Sequence, residues 1–513
     1  MIDYPYAADF IAAPFREPPY QHQIEEFERH VGKEARALLW TMRTGKTKMT
    51  IDTACQLFVN GGDMGKIDGV LVFAPNGVHA NWLERELPKH CWPGVECETI
   101  VWRSRVAGAK GGNRLSKAAA EAWAFDQEMW WDKLKTIRRS KKLFWMSVNT
   151  ESMTRDDVRR AVQRFLKWRW CLVVYDESDD FGSPGSIRTK MARALSRRAL
   201  YKRDLTGTLL TGSPLAAWSQ FELLKEGALG YTKFSDFDSR YAEYELERTR
   251  SGRQYPKLKC FRNQEELREK IAAYSSVVTR DDVKGMPALV PTVLPIELSE
   301  EQRAVYDEVH KSYMVRIGDE EVSLGERMQR LTKLQQICSG FVIDEQKQTH
   351  IIPGRNPRLE ALSREVYLCP GKVIIWCQYQ KDIDLVEAQL LQDGHKVVGY
   401  HGRVPDDVKP LNLTAFRKEK GVKAIIGHIQ SGGRGLDMSV AHKIINYSHT
   451  FKARLRAQAE ERATKIGGHN IEVQDFEAPG PDKYIRSKIL ERIDIAEAIA
   501  GTGLRDFLKS IEL

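Results

Sequence analysis

Met42-Arg43-Thr44-Gly45-Lys46-Thr47 follows directly on the apolar run Ala37 to Trp40. A Gly-Lys-Thr placed where a strand turns into a helix can form a phosphate-binding loop. Backbone N–H groups at the helix start wrap the phosphate oxygens, the lysine reaches the outer phosphates and the threonine hydroxyl ligates Mg²⁺. The fuller pattern has a glycine five residues before Gly45, and this chain has Trp40 there. Farther along, Val173-Val174-Tyr175-Asp176-Glu177 is a buried-strand run ending on two carboxylates. Ligands of a parallel sheet bind beyond the carboxyl ends of its strands. Asp176 there can hold the Mg²⁺ of a nucleotide, and Glu177 can orient and deprotonate a water for in-line attack. The bland alternatives are an exposed lysine after a tight turn and an acidic helix cap. Lys46 and Thr47 together with Asp176 and Glu177 point instead to nucleoside triphosphate hydrolysis.

Such a site needs an α/β scaffold, and the chain alternates accordingly. The expected strands of the first half are Ala37–Trp40, Gly69–Phe73, Lys142–Val148, Trp170–Tyr175 and Asp204–Thr206, with helices from Lys46 and from Val78 between them. This alternation predicts a parallel sheet with right-handed crossovers. The stretch 225–279 is polar and reads as helical. Around Lys284-Gly285-Met286-Pro287 the composition becomes proline-punctuated, which sets the expected division into domains 1–284 and 285–513. A second α/β series follows at Lys372–Cys377, His395–Tyr400, Val422–Gly427 and His442–Tyr447. Only the first series holds a phosphate loop.

With 513 residues the chain exceeds one hydrophobic core, and 42% apolar with 29% charged residues fits a globular protein. The sequence has no run of eighteen apolar residues and no signal-peptide pattern at Met1-Ile2-Asp3-Tyr4, so neither membrane association nor export is expected, and the cytoplasm is. Eight scattered cysteines without a C-x₂-C pair read as buried free thiols rather than zinc ligands. The net charge of +9 permits nucleic-acid binding without requiring it. Between Val101 and Lys142 there are eleven Lys/Arg against four Asp/Glu, interleaved with Trp123, Phe125, Trp130 and Trp131. This insertion suits a surface that tracks phosphates and stacks on bases; equally, its tryptophans suit the core face of a helix.

Taken in order, these segments resemble superfamily 2 helicase-type ATPases, closest to the Swi/Snf-related branch and its short prokaryotic and bacteriophage forms. The resemblance runs from about Pro14 to about Glu497. Pro19-Tyr20-Gln21-His22-Gln23 resembles the segment whose glutamine reads the adenine edge, which implies that role for Gln23, with Gln21 in reserve. The resemblance extends nucleotide binding to Arg43, Thr44, Gly45, Lys46 and Thr47, although Arg43 and Thr44 replace a usual glycine-containing sequence. Ala74-Pro75-Asn76-Gly77-Val78 with Asn81-Trp82 resembles the grip on a nucleic-acid strand, implying contacts from Pro75, Asn76 and Trp82. Leu205-Thr206-Gly207-Thr208 resembles the motif that couples hydrolysis to the DNA surface, with Leu209 in place of the usual proline.

In the second half, Tyr400-His401-Gly402-Arg403 and Ser431-Gly432-Gly433-Arg434-Gly435-Leu436-Asp437 resemble strand-end motifs that contact nucleic acid through Gly402, Arg403, Ser431 and Gly432 and nucleotide through Gly435 and Asp437. The branch usually has Asn at the position of Asp437. Gln458-Ala459-Glu460-Glu461-Arg462-Ala463-Thr464-Lys465 resembles the helix that supplies arginine fingers. Here the first arginine is Arg462 and the second is replaced by Lys465, a point charge instead of a bidentate fork. The resemblance therefore implies two tandem RecA-like domains with an ATP cleft between them. It also implies ATP and Mg²⁺ as ligands, Lys46, Asp176, Glu177, Arg462 and Lys465 as catalytic residues, and Thr47 with Asp176 at the metal. The expected partner is duplex or branched DNA read largely without sequence preference, possible company being replication or recombination proteins. Alternatives are an RNA helicase, the motor subunit of a restriction or interference complex, and a nucleic-acid binding module with weak ATPase.

Overall fold

The computed structural model describes residues 14–489, apart from 77, 103–129, 137–139, 208–213, 249–253, 316–323, 345, 406–407, 431–435, 451, 484 and 487–488. These residues form two compact units that divide between Val283 and Lys284.

The first unit is built on seven strands. They are β1 (Ala35–Trp40), β2 (Gly69–Ala74), β3 (Cys97–Trp102), β4 (Leu143–Asn149), β5 (Cys171–Asp176), β6 (Tyr201–Leu205) and, after the hairpin strands β7 (Ala242–Arg248) and β8 (Gln254–Phe261), β9 (Ser275–Val278). The sheet runs β3-β4-β2-β5-β6-β1-β9, parallel throughout. Its central strands are buried on both faces, which is why they read as continuous apolar runs rather than alternating ones. Val158, Ala161, Val162 and Phe165 line one stripe of the helix Asp156–Trp168 and pack with Phe73, Phe144 and Val173. On β1, Ala35, Ala37 and Leu39 pack instead with Trp218, Phe221 and Ile271.

The second unit holds β10 (Leu289–Pro295), β13 (Lys372–Cys377), β14 (Lys396–Tyr400), β15 (Val422–His428), β16 (Ala441–Asn446) and β17 (Ile471–Glu477), with a small pair β11 (Phe341–Ile343) and β12 (Thr349–Ile351) apart. Its sheet runs β10-β17-β16-β13-β15-β14, again parallel throughout. Successive residues of β13 serve opposite cores. Val373 and Ile375 join Ile383 and Val386 on one face, and Ile374 and Trp376 join Phe416 and Ile444 on the other. These are two tandem RecA-like domains.

Two local expectations change. The stretch 225–279 is not only helical. Between the helices Phe234–Tyr241 and Gln264–Ala272 it forms the antiparallel hairpin β7–β8, and β9 then returns to the sheet beside β1. Of the aromatic insertion, Trp130 and Trp131 pack on buried Trp102, at ring-centroid distances of 5.3 and 6.0 Å, as a core face. Most of its basic residues, with Trp123 and Phe125, lie outside the described residues. Among the described residues no helix is long and apolar enough to cross a membrane.

Candidate nucleotide site

The loop after β1 turns through two left-handed residues, Arg43 (φ 66°) and Gly45 (φ 89°), and Gly45 caps the helix Lys46–Val59. Glycine is needed there for two reasons. A positive φ strains any residue with a Cβ, and a Cβ on Gly45 would stand 2.2 Å from Nε2 of Gln23. That closeness is functional packing. Gln23 Nε2 donates to the Gly45 carbonyl at 3.0 Å, while its Oε1 accepts from the Tyr20 N–H at 2.8 Å. The neighbouring His22 donates from Nε2 to the Thr44 carbonyl at 2.7 Å, and burial holds its imidazole below the usual histidine range. The segment 20–23 thus grips the loop from outside, with Gln23 almost wholly buried. Lys46 Nζ donates to the carbonyls of Trp40 (2.6 Å) and Thr41 (3.3 Å), so its ammonium is stored against the loop itself. Thr47 is half-buried one residue on.

The strand order places β6 between β1 and β5, so the phosphate loop and the acidic pair leave nearby strand ends at one edge of the sheet. Asp176 is the last residue of β5 and 9% exposed. Burial first, and then the charge of Glu177, pushes its carboxyl up to about 6, opposed by a hydrogen bond from Trp82 and the charge of Lys46. Glu177 follows in the left-handed region (φ 54°), an uncommon backbone for a side-chain-bearing residue that turns it off the strand line. Behind the loop, a Cβ on Gly207 would meet Met42 Cγ at 3.2 Å, and the Thr206 N–H donates to Leu38 at 3.2 Å.

Three residues expected to contact nucleic acid are buried. Trp82 is 1% exposed, and its indole N–H donates to Asp176 Oδ2 at 2.8 Å from the start of a π-helical turn, Trp82–Glu86. Its indole is therefore turned to the acidic pair. Thr206 is fully buried against β1, so its hydroxyl is likewise withheld from a surface. Pro75 is buried as well, whereas the adjacent Asn76 is exposed. Thr208 lies outside the described residues. Sequence reading missed the tie between Trp82 and Asp176, which are 94 positions apart. It also missed His22, whose place beside Gln23 was the available signal, and Asp204 on β6. Burial pushes Asp204 up to about 7, and the nearby charge of Asp176 adds to this.

In the second unit Gly402 and Arg403 are exposed after β14, and Arg403 is paired with Asp384. Asp437 accepts from the Ser439 N–H at 3.2 Å and faces Arg417 at 3.9 Å. Arg462 lies in a single 3-10 turn, Glu461–Ala463, and is 8% exposed; its carbonyl accepts from the Met438 N–H at 3.0 Å, which ties that turn to the segment holding Asp437. The preceding helix Ala453–Glu460 is anchored by Arg456. Its guanidinium donates to both oxygens of Asp475 (2.6 and 2.8 Å) and to Glu460 (2.8 Å). Lys465 is exposed. Ser431, Gly432 and Gly435 lie outside the described residues.

Residues 29–341 match the SNF2-related domain and residues 358–467 the helicase conserved C-terminal domain. An uncharacterised ATP-dependent helicase of Mycoplasma genitalium is 24% identical over 59% of this chain and 28% of its own length. An ISWI chromatin-remodelling complex ATPase of Arabidopsis thaliana is 22% identical over 65% of this chain and 31% of its own. The chain therefore spans less than a third of these relatives. A SWI2/SNF2 ATPase core of Sulfolobus solfataricus, solved in complex with double-stranded DNA, aligns over 97% of this chain and 96% of that one at 18% identity, with a TM-score of 0.39. The SNF2-related match covers more than half of the sequence, and the chain belongs to the SNF2-related family.

Proposed function

We propose that this protein is a DNA-dependent ATPase that uses ATP hydrolysis to move along or remodel duplex or branched DNA. The observation that carries this reading is the pairing of a lysine-bearing phosphate loop after β1 with the carboxylates Asp176 and Glu177 after β5, at one edge of a RecA-like sheet. A buried carboxyl raised by a second carboxylate is the electrostatic condition that a divalent cation relieves, so Thr47 and Asp176 fit Mg²⁺. When bound, the ion neutralises charge building on the phosphates. In this reading Lys46 exchanges the Trp40 and Thr41 carbonyls for outer phosphate oxygens, and Glu177 takes the proton of the attacking water. Gln23 and His22 hold the loop in register. Arg462, with a smaller share from exposed Lys465, spreads the transition-state charge. Asp437 and Gly435 complete the nucleotide contacts, while Asn76, Gly402, Arg403, Ser431 and Gly432 face the DNA backbone, which gives little sequence preference. The proposed setting is the cytoplasm, with ATP and Mg²⁺ as the ligands and DNA as the partner.

The test is ATPase rate across a panel of duplex DNA, single-stranded DNA, RNA, forks and four-way junctions. Stimulation of at least ten-fold by duplex or branched DNA is expected; stimulation by RNA alone would replace this reading with an RNA helicase.

A further inference from the structure

Three thiols of the first unit lie together away from the nucleotide loop. Cys91 Sγ is 3.9 Å from Cys55 Sγ and 3.4 Å from Cys97 Sγ. Cys55 is fully buried on the helix that begins at Lys46. Cys91 closes the helix Leu87–His90, which continues from the π-helical turn of Trp82, and half-buried Cys97 opens β3. Cys91 and Cys97 also line a pocket of about 340 Å³ together with Arg16, Val95 and Thr99. Of the three, Cys91 and Cys97 line this pocket and Cys55 does not. Hydrogen bonding from Cys55 and then from Cys97, with the charge of Arg16, lowers the Cys91 thiol against the opposing effect of burial; the two flanking thiols are raised. Among the described residues no set of three or more His, Cys, Asp or Glu is disposed to hold a metal ion.

We propose that Cys91 is a peroxide-reactive thiol and that Cys97 resolves it, making this pair a reversible oxidation site. The Cys91 thiolate attacks a hydroperoxide, the O–O bond breaks, and sulfenic acid forms as water or alcohol leaves with the proton. The Cys97 sulfur then attacks the Cys91 sulfur, forming the disulfide and releasing water. Two thiols are thus oxidised by two electrons and one peroxide is reduced. Closing from 3.4 Å to a bond of about 2.05 Å needs a small movement. The intervening turn can supply it, since Gly94 (φ 84°) has open space around its Cβ position. Cys55 is the poorer resolving group, being farther away and sealed from the pocket.

The experiment uses the full chain with exposed Cys260 changed to Ser, which leaves seven of the eight cysteines. After one equivalent of hydrogen peroxide, thiol titration in denaturant should fall by two. Peptide mapping should give the Cys91–Cys97 link, and dithiothreitol should restore both thiols. Cys91→Ser should slow the loss at least ten-fold. Cys97→Ser should leave Cys91 as a sulfenic acid trapped by dimedone, a readout that stands even if Cys91→Ser folds poorly. No thiol loss, a link between other cysteines, or one equivalent of zinc retained by the reduced protein and shielding the three thiols would each overturn the proposal.

Discussion

The indole N–H of Trp82 donates to Oδ2 of Asp176 at 2.8 Å, joining the π-helical turn after β2 to the last residue of β5. Asp176 is held near 6 by burial and Glu177, and Trp82 opposes that rise. Trp82→Phe keeps most of the buried volume and removes the donor. The carboxyl should then rise further, moving the acid limb of the ATPase pH profile to higher pH, so that turnover falls more at pH 6 than at pH 8. Steady-state kinetics from pH 5.5 to 8.5 measure both, and an unmoved acid limb would mean that the bond is merely structural.

Asp204 gives a stability prediction with a definite sign. Its folded carboxyl titrates near 7, above the unfolded value of about 4. Between those values the native chain keeps a proton that the unfolded chain has released, so stability falls as pH rises through this window and levels off above it. Asp204→Asn imitates the protonated acid. It should match the wild type below about pH 4 and exceed it at pH 8 by roughly 1 to 4 kcal/mol. Urea denaturation at the two pH values decides the sign.

Gly45→Ala combines a strained φ with a collision against Gln23. The backbone alone costs roughly 1–2 kcal/mol, and the side-chain clash adds to it. Pairing the change with Gln23→Ala should remove the clash but not the strain, so the double variant should recover part of the lost stability. Nucleotide binding should remain weak in both. Recovery to wild-type stability in the double variant would contradict the role of φ.

Arg456 is the anchor of the segment that carries Arg462. Arg456→Ala removes the nitrogen that donates to both oxygens of buried Asp475 and should destabilise the protein by roughly 3–5 kcal/mol. Arg456→Lys, which restores charge without the fork, should recover only part of this. Chemical denaturation of both variants measures the difference.

Much of the fold was legible in the sequence. Strands buried on both faces must be almost wholly apolar, and Gly69–Ala74, Cys171–Asp176 and Lys372–Cys377 are. The phosphate loop was legible for a similar local reason, since its turn requires particular residues in immediate succession. The hairpin β7–β8 was harder to see. Its strand Glu243-Tyr244-Glu245-Leu246-Glu247 has the two-residue alternation of an exposed ribbon, but its overall polarity resembles that of a surface helix. The placements of Trp82 and Thr206 could not be read at all. They depend on which distant side chains meet after folding, and a motif states adjacency along the chain rather than in space.

The most direct measurement is the response of Glu177→Gln, taken as ATP affinity and DNA-stimulated hydrolysis on the same preparation. The account predicts ATP binding within about three-fold of the wild type with turnover reduced at least a hundred-fold, because the loop around Lys46 is untouched and only the group that accepts the water's proton is lost. Hydrolysis at the wild-type rate in this variant would contradict the assignment of the site.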